Sequence, residues 1–184
     1  RDALLGSAVI AARERRDDDA AGFYTRLLAA NPRDVEAIAG LAGLRPGDGD
    51  RAEIRLKGLL RTNEDTPSVH FALGNLYARQ GRWQEAQQAY FRAWSAAPGN
   101  ADYAFNLAVG LDRLNQGRLA REYYGRALAL AAGGTAAFDR AAVQRRLQQL
   151  APGTAPVETT PPAATAIPAP APADAQVPAA PAGN

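Results

Sequence analysis

A single histidine, His70, is the whole imidazole supply of this 184-residue chain, and cysteine is absent. This removes the usual general base, the thiol nucleophile and the Cys-based zinc site. A metal centre at His70 would need a second His or Cys, so His70 reads as a packing or rim residue. Ser7, Ser68 and Ser95 have no visible base partner, and each lies in a helical pattern. Gly47-Asp48-Gly49 lacks the Lys-Ser/Thr and the preceding strand of a phosphate loop. Asp17, Asp18 and Asp19 open a helical stretch, where carboxylates favour the helix N-terminus. A capping role therefore beats a cation site, and Arg13, Arg15 and Arg16 read as a solvated face or as ion-pair partners of that run. No catalytic residue, metal or cofactor is expected.

Composition narrows the field further. The chain has 21 basic and 19 acidic residues, with Lys57 the only lysine, and 43 alanines. No apolar run reaches membrane-spanning length, so no membrane insertion by this segment is expected. Acids are interspersed with the arginines, and no aromatic-plus-basic motif of a nucleic-acid module is present, so no nucleic-acid partner is expected. The last 34 residues, 151–184, carry 9 of the 13 prolines, no aromatic residue and only two charges, Glu158 and Asp174. Such a stretch cannot bury enough apolar surface to offset chain entropy, and it is expected to be a disordered Pro/Ala tail. Without it the net charge is +4. The chain opens at Arg1 with no secretion signal, which reads as a fragment or mature form of a longer protein.

The elements that would position any binding surface repeat. Leu73, Ala86, Tyr90 and Ala93 recur 34 residues later as Leu107, Ala120, Tyr124 and Ala127. Ala52, Leu56 and Leu59 stand one period earlier, and Ala20, Tyr24, Leu27 and Pro32 one earlier again. Within a period the pattern is helical: Val69, Leu73, Leu76 and Tyr77, then Ala86, Ala89, Tyr90, Ala93 and Trp94. Gly81 fits a helix end, and Pro98-Gly99-Asn100 closes the second helix. Small residues opposite aromatics let the two helices approach closely, so each period is a helix–turn–helix hairpin. Trp83 and Trp94 fit inter-helix packing sites.

His70, Leu73-Gly74, Tyr77, Gly81, Ala86, Tyr90, Ala93 and Pro98 resemble the tetratricopeptide repeat. His70 departs from the usual Trp, Tyr90 from Phe, and Ala132 stands where the fourth repeat should have Pro. Repeat one is weakest in its first helix. Repeat two is two residues short, and Pro46 should end its first helix early. The resemblance implies an all-α, right-handed superhelix with repeats at about 1–34, 35–66, 67–100 and 101–134. A capping helix at 135–150 would dock through Phe138, Ala142, Leu147 and Leu150, with Arg140, Arg145 and Arg146 facing water.

In this family the first helices line a concave groove that binds a peptide or helix of another protein. Carried onto this chain, the partner-binding residues are Phe71, Asn75, Arg79, Phe105, Asn106, Val109, Arg113 and Arg140. Asn75, Asn106 and Arg140 match three positions of the family's carboxylate clamp, but Phe71 and Ala136 occupy two positions where it needs Lys. Loss of those cations removes most of the charge-assisted bonding. The Asn side chains are instead expected to bond peptide backbone, with Phe71, Phe105 and Val109 in apolar contact. Replacing Asn75 and Asn106 by Ala should then weaken binding and spare helicity.

Residues 102–109 and 111–114 are similar to repeat regions of type IV and MSHA-type pilus biogenesis accessories. That resemblance implies a non-catalytic scaffold in bacterial cell-envelope assembly, on the periplasmic side of an anchor missing from this segment. A cytoplasmic co-chaperone-like or regulatory adaptor, or a self-associating structural protein, is the alternative.

Overall fold

A computed structural model of the chain describes residues 1–44, 47–62, 66–134 and 136–151. The described residues form α1 (Asp2–Arg13), α2 (Asp17–Ala30), α3 (Val35–Leu44), α4 (Gly49–Arg61), α5 (Pro67–Arg79), α6 (Trp83–Ala96), α7 (Ala101–Arg113), α8 (Gly117–Ala131) and α9 (Arg140–Gln149), with no strand among them. The helices pack as successive hairpins, α1 on α2, α3 on α4, α5 on α6 and α7 on α8, and each hairpin packs on the next. The expected tail, Arg45, Pro46 and Thr135 lie outside the described residues.

Local chemistry explains where the helices begin and end. Pro67 opens α5, where a missing N–H costs nothing. The Asn100 side chain caps α7, accepting from the backbone N–H of Asp102 at 2.9 Å and of Tyr103 at 3.1 Å. Three first helices close through the same left-handed turn. Gly81 sits at φ +72°, and the Arg82 N–H donates back to the Tyr77 carbonyl at 2.9 Å. Asn115 (φ 58°) and Arg15 (φ 61°) hold the equivalent place after α7 and α1. This six-to-one closure satisfies carbonyls that would otherwise be orphaned. Glycine and asparagine tolerate the turn, whereas arginine pays a steric penalty of roughly 1–2 kcal/mol. Arg15→Gly should therefore raise stability by about 0.5 kcal/mol once glycine's extra unfolded-state entropy is deducted. Urea denaturation tests this, and a lower midpoint would contradict it.

The repeating pattern becomes a repeating core. Tyr90 and Tyr124 are both fully buried, each flanked on its own helix by fully buried alanines: Ala86 and Ala93, then Ala120 and Ala127. One continuous cluster runs from Ile38 to Val143, and a smaller one joins Ala8, Ala11, Ala20, Tyr24, Leu27 and Ala37 at the N-terminal end. His70 is buried, as a packing residue would be. The acidic run opens α2, and Arg16 pairs with Asp19 at 2.7 Å. Helix α3 is only ten residues long and stops at Leu44, just ahead of Pro46.

Repeat two is tied to repeat three by charge. Glu53 on α4 accepts from Arg82 at 2.7 Å, from Lys57 at 2.6 Å and from the Tyr77 hydroxyl at 3.2 Å, while the Arg82 guanidinium lies 4.3 Å over the Tyr77 ring. The Arg82 hydrogen bond holds the Glu53 carboxyl down at about 2, against an ordinary 4.5. A depressed carboxylate contributes stability that is fully present above its unfolded pKa and is lost as pH falls through its folded pKa. Wild type should thus be more stable than Glu53→Gln by about 1 kcal/mol at pH 7, after allowance for solvent screening. That gap should close between about pH 4.5 and pH 2. A gap that persists at pH 2 would contradict the assignment.

The C-terminal helix differs from expectation in two respects. It begins at Arg140 instead of residue 135, because the Asp139 side chain caps it, accepting from the N–H of Ala141 at 2.8 Å and of Ala142 at 3.2 Å. Phe138 therefore precedes the helix, stacked on Phe105 with ring centroids 4.6 Å apart, and Val143 is the fully buried residue of α9. Arg146 does not face water. Its guanidinium makes a two-pronged pair with Asp112, with Nε and Nη2 each at 2.8 Å.

Candidate functional site

The main concavity is a groove of about 780 Å³ across the first helices of repeats one to three. Helix α1 contributes Leu5, Val9 and Arg13, α3 contributes Val35, Glu36, Ala39 and Gly43, and α5 contributes Ser68, Phe71, Asn75 and Arg79. On α5 the spacing Phe71, Asn75, Arg79 places one residue per turn on the groove face. Its size falls within the range of roughly 300–1,000 Å³ typical of ligand clefts.

Each of these three side chains is held by a neighbour. Phe71 is 3% exposed, its ring 4.7 Å from that of Tyr103 and 5.8 Å from that of Tyr90. The Asn75 Oδ1 accepts from the Tyr90 hydroxyl at 2.9 Å. Burial pushes the Tyr90 phenol well above its ordinary value, so it stays protonated and keeps donating. This fixes the amide, and the Asn75 Nδ2 makes no hydrogen bond to the described residues. Arg79 crosses from α5 to α3, where its Nη1 donates to the Ala39 carbonyl at 3.4 Å. A side chain on Gly43 would collide with it, since an added Cβ would lie 2.1 Å from Nη1. Arg79 is open to solvent along the groove, yet the protein around its guanidinium depresses its pKa.

The structure does not bring the other five expected residues to this groove. Phe105 is 2% exposed, and Asn106 and Val109 are fully buried. The Asn106 Nδ2 donates to the Asp102 carbonyl at 2.8 Å, and its Oδ1 accepts from none of the described residues. Arg113 stacks 4.9 Å over the Trp83 ring. Arg140 is exposed at the start of α9 and donates to the Gly134 carbonyl at 2.5 Å. The physical reason is the chain segment before α9, which lies on α7: the Ala137 N–H donates to Asp102 Oδ1 at 3.0 Å and Phe138 covers Phe105. Asn75, Asn106 and Arg140 accordingly do not converge on one ligand position.

Sequence reasoning missed the α3 wall. Its only signal was the pair Gly40 and Gly43, which stand where Tyr24 and Arg79 need room. The acidic residues at this end are partly neutralised. Arg1 pairs with Asp34 at 2.8 Å and also with Glu36. Burial and the nearby Glu36 and Asp102 carboxylates push the Tyr103 phenol up to about 12. Among the described residues, no cluster of His, Cys, Asp or Glu could hold a metal ion, and no helix is long and apolar enough to cross a membrane.

Helical hairpins stacked around a lined concavity define a helical-repeat protein. Residues 67–110, from α5 into α7, match the family model described as Tetratricopeptide repeat. Among solved structures, the chain is similar to TTC0263, a thermophilic TPR protein in Thermus thermophilus, at 19% identity and TM-score 0.64, over 80% of this chain and 79% of that one. It is also similar to MamA AMB-1, at 23% identity and TM-score 0.55, over 80% and 82% of the two chains. MamA MSR-1 gives 23% identity and TM-score 0.54, over 82% of each. No curated protein sequence matches it. The fold is a helical solenoid of tetratricopeptide-repeat type, which suggests binding to a protein partner.

Proposed function

We propose that the chain is a non-catalytic scaffold, one solenoid over residues 1–150, that holds a segment of another protein in the groove between α1, α3 and α5. The observation that carries this reading is the groove itself: an apolar floor of Leu5, Val9 and Phe71 beside an amide and a guanidinium left for a ligand. Apolar contact supplies affinity there, and the few placed polar groups fix register. Phe71, Asn75 and Arg79 are the binding residues. The setting we propose is bacterial cell-envelope assembly, supported by the similarity of residues 102–114 to pilus biogenesis accessories.

The test is capture of envelope proteins by the chain and by Ser68→Trp, which places a bulky ring at the half-buried groove wall without touching the core. A pilus or secretion component held by wild type and lost with Ser68→Trp supports both parts. Retention by the variant sinks the groove assignment, and capture of cytoplasmic regulators alone sinks the envelope setting.

A further inference from the structure

Arg79 is built in at some expense. It lies across α3 only because residue 43 is glycine, and its one hydrogen bond is a long one to a backbone carbonyl. None of the described carboxylates pairs with it, although other arginines of the fold find carboxylates, Arg82 with Glu53 and Arg146 with Asp112 among them. Arg13 and Arg15 line the same groove and likewise form no ion pair with the described residues. Asn75, one turn away, offers a neutral N–H on the same face.

We propose that Arg79 is an anion anchor of the groove and receives a carboxylate, an acidic side chain or chain end, from the bound polypeptide. The occupant is an extended or helical segment in which an acidic group stands a few residues from an apolar side chain. The carboxylate meets the Arg79 guanidinium in a charge-assisted pair, the Asn75 amide donates beside it, and the apolar side chain lies on Phe71, Leu5 and Val9. Crowding of the guanidinium by protein strengthens such a pair relative to one in open water. Charge complementarity argues for an isolated carboxylate over a phosphate backbone, because Asp17, Glu36 and Asp50 line the same groove and would repel a polyanion. The inference deepens the scaffold reading and rests on it.

A random peptide library displayed on phage, selected on the full chain, tests it. Enriched peptides should carry Asp or Glu near Leu, Ile or Phe, and a synthetic copy should bind about tenfold or more weakly after its Asp is changed to Asn. Arg79→Gln should produce the same loss, and Arg79→Lys a smaller one. The Asp-to-Asn peptide keeps the test decisive even if Arg79→Gln unfolds. Peptides that need the groove, being lost with Ser68→Trp, but show no acidic preference overturn the anchor and leave the scaffold reading. Absence of any groove-dependent peptide overturns both. Tighter, salt-sensitive binding of a single-stranded oligonucleotide would overturn the carboxylate assignment in favour of phosphate.

Discussion

Arg146→Ala is expected to lower the free energy of unfolding by about 3 kcal/mol, read from urea denaturation at neutral pH. The Asp112 side chain is only 3% exposed and the Arg146 side chain 13%. Truncating Arg146 strands a carboxylate in the interior with the Tyr124 hydroxyl, 3.1 Å from Oδ2, as its remaining hydrogen-bond donor there. The loss should exceed that of any surface pair such as Arg126–Glu122, whose side chains are about half exposed and whose contribution is at most about 1 kcal/mol. Because the penalty is that of an uncompensated charge, Asp112→Leu combined with Arg146→Ala should recover most of it. A single-mutant cost below about 1 kcal/mol, or no recovery in the double mutant, would show that the pair does not hold α9 to α7. Limited proteolysis gives a local readout, since α9 should be cut first in Arg146→Ala.

Gly74→Leu should cost at least about 3 kcal/mol, and even Gly74→Ala about 1–3 kcal/mol. An added Cβ at residue 74 would stand 2.5 Å from Cδ1 and Cε1 of Tyr90. The ring cannot yield, for it is fully buried and its hydroxyl is tied to Asn75. Ala86→Leu should overpack the same interface from α6. The contrasting position is Gly125 in α8, where an added Cβ meets nothing within 4 Å. Gly125→Ala should stabilise by about 0.5–1 kcal/mol through helix propensity alone. Equal effects at 74 and 125 would mean that close helix approach does not set the α5–α6 geometry. Loss of the Asn75–Tyr90 bond in Gly74→Ala should also weaken groove binding, which joins the core to the site.

Much of this architecture was legible in residue order. The 34-residue recurrence of Ala86, Tyr90 and Ala93 as Ala120, Tyr124 and Ala127 requires two helices of fixed spacing per unit. It also decides which faces are buried, because a small residue opposite a tyrosine satisfies packing at one register. Helix ends were legible for the same kind of local reason at Gly81, Pro67 and Asn100. Phe71, Asn75 and Arg79 could be placed on one helical face from their spacing.

Tertiary structure decided the rest, because the rest depends on contacts far apart in sequence. Whether Asn106 meets a ligand or the interior turns on the Ala137–Phe138 segment folding over α7, more than 30 residues away. Arg146 faces inward because Asp112 waits buried on a neighbouring helix, which no amphipathic pattern within α9 reveals. The groove's second wall, α3, was hidden because glycines give no signal of what they make room for. Sequence determined the repeating hairpin and its core by local periodicity. Tertiary structure alone chose which of the repeated positions stay open to a partner, since that choice belongs to the neighbours that cover them.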